Sequence, residues 1–145
     1  MELGDAYYAM GVIYQRSENY NESLSYHKQA LEIRSSQPNT SHPKIGESYY
    51  EITQVYIKEE NFILAIENLL KTIDIDKVNY TSDSPNYKFL AEDFILLTKL
   101  YIQVDDKEKA KTSISELEKI INALDATTKS KLESEFTVLK NEIDN

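Results

Sequence analysis

The sequence predicts an all-α fold: an α-solenoid of three helix hairpins closed by a C-terminal capping helix. Three observations predict it. First, "SHPKIGESYYEITQVY" at 41–56 echoes "MELGDAYYAMGVIY" at 1–14 without gaps at a shift of 42, matching Gly4 to Gly46, Tyr7 and Tyr8 to Tyr49 and Tyr50, and Tyr14 to Tyr56. Second, apolar residues in each copy recur at spacings of three and four, the mark of one helix face. Third, only three Gly and three Pro in 145 residues leave little material for a turn-rich β protein.

The shift of 42 continues past the opening match: Tyr20 falls on Phe62, Leu24 on Ile66, Leu31 on Ile73 and Pro43 on Pro85. Beyond Pro85 it becomes 45, so that Ile45 meets Leu90, Tyr49 meets Phe94, Tyr56 meets Tyr101 and Ala65 meets Ala110. A fixed period of this length is the mark of a repeat architecture, whose units cannot bury their apolar faces alone. The expected units are 1–42, 43–85 and 86–124, followed by a cap at 125–145.

Each unit splits in two. The first helix of copy one carries Leu3, Tyr7, Met10, Gly11 and Tyr14 on one stripe; Ile45, Tyr49, Ile52, Val55 and Tyr56 repeat it, as do Leu90, Phe94, Leu97, Leu100 and Tyr101. Polar breaks follow at "SENY", "EENF" and "DDKE". The second helices show Tyr20, Leu24, His27, Ala30 and Leu31, then Phe62, Ala65, Leu69 and Ile73, then Ala110, Ile114, Leu117, Ile121 and Leu124. Between copies lie "SSQPNTSHP" and "NYTSDSPN", turn formers closed by Pro43 and Pro85 at expected first helical positions. After Asp125, a cap, Leu132, Phe136, Leu139 and Ile143 share one face of a last helix outside the repeat pattern. That helix is expected to cover the flank that the last hairpin leaves open.

The totals exclude several classes of function. A net charge of −9 and a pI near 4.7 argue against nucleic acid and against an anionic membrane surface. With no cysteine there is no disulfide frame and no thiol chemistry. No apolar run reaches the roughly 18 residues that span a bilayer, Met1 opens no basic, apolar leader, and a cytoplasmic location is expected. His27 sits at a packing position, His42 precedes Pro43 as a cap, and Asp74 and Asp76 point different ways on a helix. Glu47, Glu51 and Glu92 could approach one another, but they read as a solvated acidic face. No nucleophile–base pair and no Gly-rich phosphate loop stands out, so no catalytic residue, metal or cofactor is expected, and the chain is read as no enzyme.

These residues resemble the tetratricopeptide repeat (TPR). Copy one supplies its pattern with Tyr7, Met10-Gly11, Tyr14, Tyr20, Ser23, His27 and Ala30; copy two with Tyr49, Ile52-Thr53, Tyr56, Phe62, Ala65, Leu69 and Thr72; copy three with Phe94, Leu97-Thr98, Tyr101, Lys107, Ala110, Ile114 and Leu117. "QALEIR" at 29–34 followed by "SHPKIG" at 41–46 is similar to the TPRs of kinesin light chains. Two departures stand out. The Gly usual at the inter-helix turn is replaced by Glu18, Glu60 and Asp105, so the left-handed residue is expected to move onto Asn19, Asn61 and Asp106. Met1 stands where copy two has Pro43, which suggests a fragment of a longer array.

The resemblance implies a concave groove lined by the first helices. It places there Asp5, Tyr8, Ala9, Val12, Gln15 and Arg16 from copy one, and Glu47, Tyr50, Glu51, Gln54, Ile57 and Lys58 from copy two. Copy three adds Glu92, Ile95, Leu96, Lys99, Ile102 and Gln103. Tyr8, Tyr50, Ile95 and Ile102 would form an apolar floor, and tyrosine suits a binding surface. Chaperone-binding TPRs grip a peptide carboxylate with Lys, Asn and Arg; the matching positions hold Tyr8, Val12, Glu51, Glu92 and Leu96, which exclude that clamp. Paired groove Asn residues of kinesin light chain are replaced by Tyr8-Ala9 and Tyr50-Glu51. The implied function is a scaffold or adaptor for a protein or peptide, basic with apolar anchors. The alternatives are a peptide-sensing bacterial TPR regulator and a structural subunit docking through its convex face.

Overall fold

The computed structural model describes residues 2–144. Seven α-helices fill them: α1 (Glu2–Arg16), α2 (Tyr20–Ser35), α3 (Pro43–Lys58), α4 (Phe62–Asn79), α5 (Tyr87–Gln103), α6 (Lys107–Ala123) and α7 (Ala126–Asp144). Met1, the residue expected to mark the repeat boundary, lies outside the described residues, as does Asn145. The chain forms two compact units, one up to Ile75 and one from Asp76, so the boundary falls inside α4.

The turn inside each hairpin is built the same way three times. Glu18, Glu60 and Asp105 have φ of 59°, 57° and 57°. The next amide in each case bonds back to the carbonyl of a tyrosine: Asn19 to Tyr14 at 2.9 Å, Asn61 to Tyr56 at 2.8 Å and Asp106 to Tyr101 at 2.9 Å. The left-handed residue itself donates to Gln15, Ile57 or Ile102, which completes a Schellman motif. The expected move onto Asn19, Asn61 and Asp106 therefore does not occur. Those residues stand at the N-termini of α2, α4 and α6: Asp106 accepts from the Lys109 amide at 3.2 Å and Asn61 from that of Leu64 at 3.4 Å, whereas Asn19 holds the N-cap place of α2 without a side-chain cap bond.

Helix starts between hairpins follow from capping and proline geometry. His42 is the N-cap of α3, its Nδ1 accepting from the Lys44 amide at 3.2 Å, with Pro43 in the first turn. Pro85 differs: α5 begins at Tyr87 with Asn86 as N-cap, so this proline belongs to the preceding turn. Asp125 Oδ1 accepts from the amides of Thr127 and Thr128, both at 3.0 Å, and opens α7.

In the first unit, α1 packs on α2 and α2 on α3. Ala30, Ile45, Ile52, Val55, Leu69 and Ile73 are buried, and Thr72 of α4 donates to the Gly46 carbonyl of α3. Close approach at the α1–α2 crossing comes from Gly11, where an added Cβ would lie 2.6 Å from His27 Cε1. Leu3 and Met10 are not in this core: they are 59% and 37% exposed. In the second unit, α5 packs on α6, and α7 covers both. Leu139 and Ile143 of α7 are buried with Phe94, Leu97, Leu117 and Ile121, whereas Leu132 and Phe136 stay half-buried.

Candidate functional site

The richest chemistry in the first unit gathers around a side chain from α2. Arg34 is 4% exposed and reaches both neighbouring helices. Its Nη1 donates to the Lys44 carbonyl at 2.6 Å and to Ser48 Oγ at 2.8 Å, both on α3, and its Nη2 donates to Asp5 Oδ1 of α1 at 2.7 Å. The guanidinium lies 4.7 Å from the Tyr8 ring centre, and Glu47 Oε2 stands 3.8 Å from Nη1. Lys44 Nζ meets the other Asp5 oxygen at 2.6 Å. The hydrogen bonds from Lys44 and then Arg34 hold the Asp5 carboxyl below its usual range.

Beside this knot, Tyr8 donates to Glu51 Oε1 at 3.2 Å. Burial first, then the Glu51 charge, pushes the Tyr8 hydroxyl above its ordinary value. Burial also raises the Glu51 carboxyl, against the hydrogen bonds of Tyr8 and Gln15, with Glu47 adding to the rise. Tyr8 stands edge-on to His27, ring centres 5.6 Å apart. His27 is fully buried with neither ring nitrogen bonded, and burial together with the Arg34 charge lowers its pKa to about 4. It is a neutral core residue, as its packing position implied. Between α2 and α3, Arg34, Pro38, His42, Lys44 and Ile45 line a cleft of about 260 Å³.

Of the residues the resemblance assigned to a groove in this unit, Tyr8, Val12, Gln15, Glu51, Gln54 and Ile57 are half-buried. Arg16, Tyr50 and Lys58 are exposed, Tyr50 by 37%. Those of the second unit divide. Glu92 is exposed and Ile102 half-buried, but Ile95 is only 5% exposed. Lys99 pairs with Glu135 of the capping helix.

The second unit holds its own polar knot. Asp93 of α5 is 4% exposed and Asp76 of α4 8% exposed. The two side chains hydrogen-bond each other, and Asp93 Oδ2 has no partner. Burial first, then the Asp76 and Glu92 charges, raises Asp93 to about 8. Sequence reasoning named neither Arg34 nor Asp93. The signal was available: Arg34 follows His27 and Ala30 on the buried face of α2, and Asp93 sits between Leu90 and Leu97 on that of α5. A charge on an apolar stripe marks a built polar site. Among the described residues, no group of three or more His, Asp or Glu side chains could hold a metal ion, and no helix is long and apolar enough to cross a membrane.

Aromatic rings and carboxylates are thus held on packed helices, the kind of preorganised groups that recognition uses. A family profile described as tetratricopeptide repeat matches residues 2–77. No curated protein matches the sequence significantly. Among solved structures, the chain is similar to BtubC (BKLC) from P. vanneervenii, with TM-score 0.73 and 15% identity over 98% of this chain and 61% of that one. It is also similar to the kinesin-light-chain-like, nearly identical TPR-like repeats of Podosopora anserina, with TM-score 0.62 and 14% identity over 96% of this chain and 72% of that one. This chain thus spans less than two thirds of BtubC. At such identities the likeness is one of fold, an α-solenoid of helix hairpins. The matching profile covers more than half of the sequence, and the chain belongs to the tetratricopeptide repeat family.

Proposed function

We propose that this chain is a protein-interaction adaptor, built of repeats at 1–42, 43–85 and 86–124 and a cap at 125–145, whose first helices hold a segment of a partner protein. The partner segment carries Lys or Arg beside apolar anchors. Nucleic acid, membranes and acidic chaperone tails are not among its ligands, no cofactor takes part, and the chain acts in the cytoplasm.

The observation that carries this reading is the charge left over on the first unit. Arg34 and Lys44 are both engaged by Asp5, while Glu47 keeps a side chain 52% exposed and Glu51 stands beside it. Around Asp5 and Glu47, two cations against three carboxylates leave a negative patch, with the exposed Arg16 and Lys58 at the far ends of α1 and α3, and Tyr50 provides exposed aromatic area beside it. Aromatic anchors and complementary charge are what binding surfaces use for affinity and selection. Considered by itself, the second unit presents exposed Glu92 and half-buried Ile102 on α5, while Ile95 belongs to the core and Lys99 to the cap contact.

A displayed peptide library tests the proposal. Selection on the intact chain is expected to enrich sequences pairing basic with aromatic or aliphatic residues. Their affinity should fall about tenfold or more on Tyr50→Ala and on Glu47→Lys, the loss of about 1.4 kcal/mol or more that an interface anchor carries. Peptides that bind both variants as tightly as the parent would place recognition elsewhere.

A further inference from the structure

Gln15 of α1 and Glu51 of α3 form a polar pair that the repeat itself does not ask for. In register, the place of Gln15 holds Ile57 and Ile102 in the other copies, and that of Glu51 holds Ala9 and Leu96. Glu51 is half-buried, and the donors that reach it are neutral: the Tyr8 hydroxyl at 3.2 Å and the Gln15 side-chain amide. Among the described residues no cation pairs with it, since Arg34 pairs with Asp5 and Glu47, and Lys44 with Asp5. The other end of the Gln15 amide is open: its Oε1 is buried and accepts from no donor, an arrangement that burial makes costly. Because an amide's nitrogen and oxygen share one carbon, this open acceptor lies beside the carboxyl that the nitrogen reaches. A carboxylate has no donor to offer it, but a carboxylic acid has one. The charged and titratable groups gathered here in the first unit are Glu47 and Lys44 of α3, Asp5 and Tyr8 of α1, and Arg34 and His27 of α2.

We propose, on the adaptor reading in which the partner segment carries Lys or Arg, that a proton and that basic side chain compete for Glu51, so that this face holds its partner near neutral pH and releases it on acidification. In the occupied state the carboxylate meets the partner's ammonium or guanidinium as an ion pair. In the released state a proton from solvent adds to a carboxylate oxygen. The new O–H donates to Gln15 Oε1 while the Gln15 N–H still donates to the carboxyl, a closed acid–amide ring that leaves neither group open. Burial, and after it the Glu47 charge, favour the neutral acid and carry Glu51 above its ordinary 4.5, against the Tyr8 and Gln15 bonds. One proton and one cation exclude each other, so affinity falls by up to about tenfold per pH unit below the Glu51 midpoint.

Basic peptides from the displayed library, end-capped and free of His, Asp and Glu so that they do not titrate, test it on the intact chain. Fluorescence anisotropy from about pH 7.5 down to about pH 4.5 should show a constant affinity that then falls through one titration, by up to about tenfold per unit. Glu51→Gln keeps a donor toward Gln15 but takes up no proton, so it should bind weakly and without a pH step; Glu51→Ala, the residue of copy one at this place, serves if that variant does not fold. Glu47→Gln should move the step to lower pH without removing it, because Glu47 acts on Glu51 through its charge. His42→Asn, which keeps an N-cap acceptor, should leave the step in place. An NMR titration supplies a readout that needs no partner: the Gln15 side-chain amide should shift together with the Glu51 carboxyl, at one midpoint above 4.5. A parent chain that binds no basic peptide defeats the adaptor reading and this proposal with it. Binding that ignores pH, a step that survives Glu51→Gln, or a Gln15 amide that does not follow Glu51 overturns the proposal and leaves the adaptor reading standing.

Discussion

Asp76 and Asp93 share a hydrogen bond inside the second unit, a contact that two charged carboxylates cannot make. In the repeat register they stand where Arg34 and Ser48 stand in the first unit. There the bond is a guanidinium donating to a hydroxyl at 2.8 Å, and no proton need be held. One position in the pattern thus carries a buried polar pair twice, with opposite chemistry.

The acid pair makes stability fall as pH rises. Asp93 is raised from about 3.8 to about 8, so its protonated form is favoured by folding. That contribution is fully present below about pH 4 and is lost as pH climbs through 8. His27 works the other way: lowered from 6.5 to about 4, it contributes above pH 6.5 and loses its contribution as pH falls to 4. Of these two, only Asp93 acts between pH 6.5 and 8. Urea unfolding should show a loss of about 2 kcal/mol across that window, at about 1.4 kcal/mol per unit. Asp93→Asn keeps a donor toward Asp76 and should flatten the slope; exposed Asp74→Asn should leave it unchanged.

Gly11 and His27 are a matched pair. An added Cβ at Gly11 meets three ring atoms of His27 within 2.8 Å, and the ring is fully buried with nowhere to move. Copy two solves the same crossing with Thr53 and Leu69. Gly11→Ala should therefore destabilise by about 1–2 kcal/mol, overpacking outweighing the gain in helix propensity. In a His27→Leu background the same change should cost little or stabilise, giving a coupling of at least about 0.5 kcal/mol in thermal or urea melts. Additive effects would mean that the ring does not set the spacing.

What could be read in advance was local. Helix existence, the cap at Asp125 and the N-cap at His42 follow from periodicity and capping chemistry, which act within a turn or two of chain. The φ of Glu18, Glu60 and Asp105 did not, because Asn19, Asn61 and Asp106 suit both the left-handed position and the cap, and one backbone bond to the preceding tyrosine decides between them. Register within a family says which way Ile95 and Lys99 point, but not what covers them. Ile95 proved buried, and Lys99 met Glu135 from a helix that lies outside the repeat pattern. Arg34 was passed over because "QALEIR" was read for its similarity to kinesin-light-chain repeats, whereas its charge on the buried face carried the information.

The three Schellman turns should be improvable. Left-handed geometry costs a side-chain-bearing residue roughly 1–2 kcal/mol, and glycine is free of that cost. Glu18→Gly, Glu60→Gly and Asp105→Gly should each stabilise by about 0.5–1 kcal/mol, part of the gain being offset by unfolded-chain entropy. Asn61→Gly, one position on, should give nothing or lose a few tenths, since it removes a cap. Differential scanning calorimetry of the four variants separates the two positions. Equal gains at Glu60 and Asn61 would contradict the assignment of turn and cap.

Arg34 should be the least replaceable charge in the first unit, since it is buried and ties α1, α2 and α3 with side-chain bonds of 2.6, 2.8 and 2.7 Å. Lysine has one ammonium and no fork, so it cannot serve Ser48, the Lys44 carbonyl and Asp5 together. Removing one member of a buried pair costs about 3–5 kcal/mol, but the Asp5 side chain is 38% exposed and keeps Lys44. Arg34→Met should therefore cost about 2–3 kcal/mol and Asp5→Asn clearly less, measured by urea unfolding at pH 7. A second readout separates charge from packing. The Arg34 charge helps to lower His27, so in Arg34→Met the imidazole should titrate above its present value of about 4, yet stay below 6.5 because burial is the larger cause. An NMR titration in which His27 does not move would show that the guanidinium acts on this unit through contact alone.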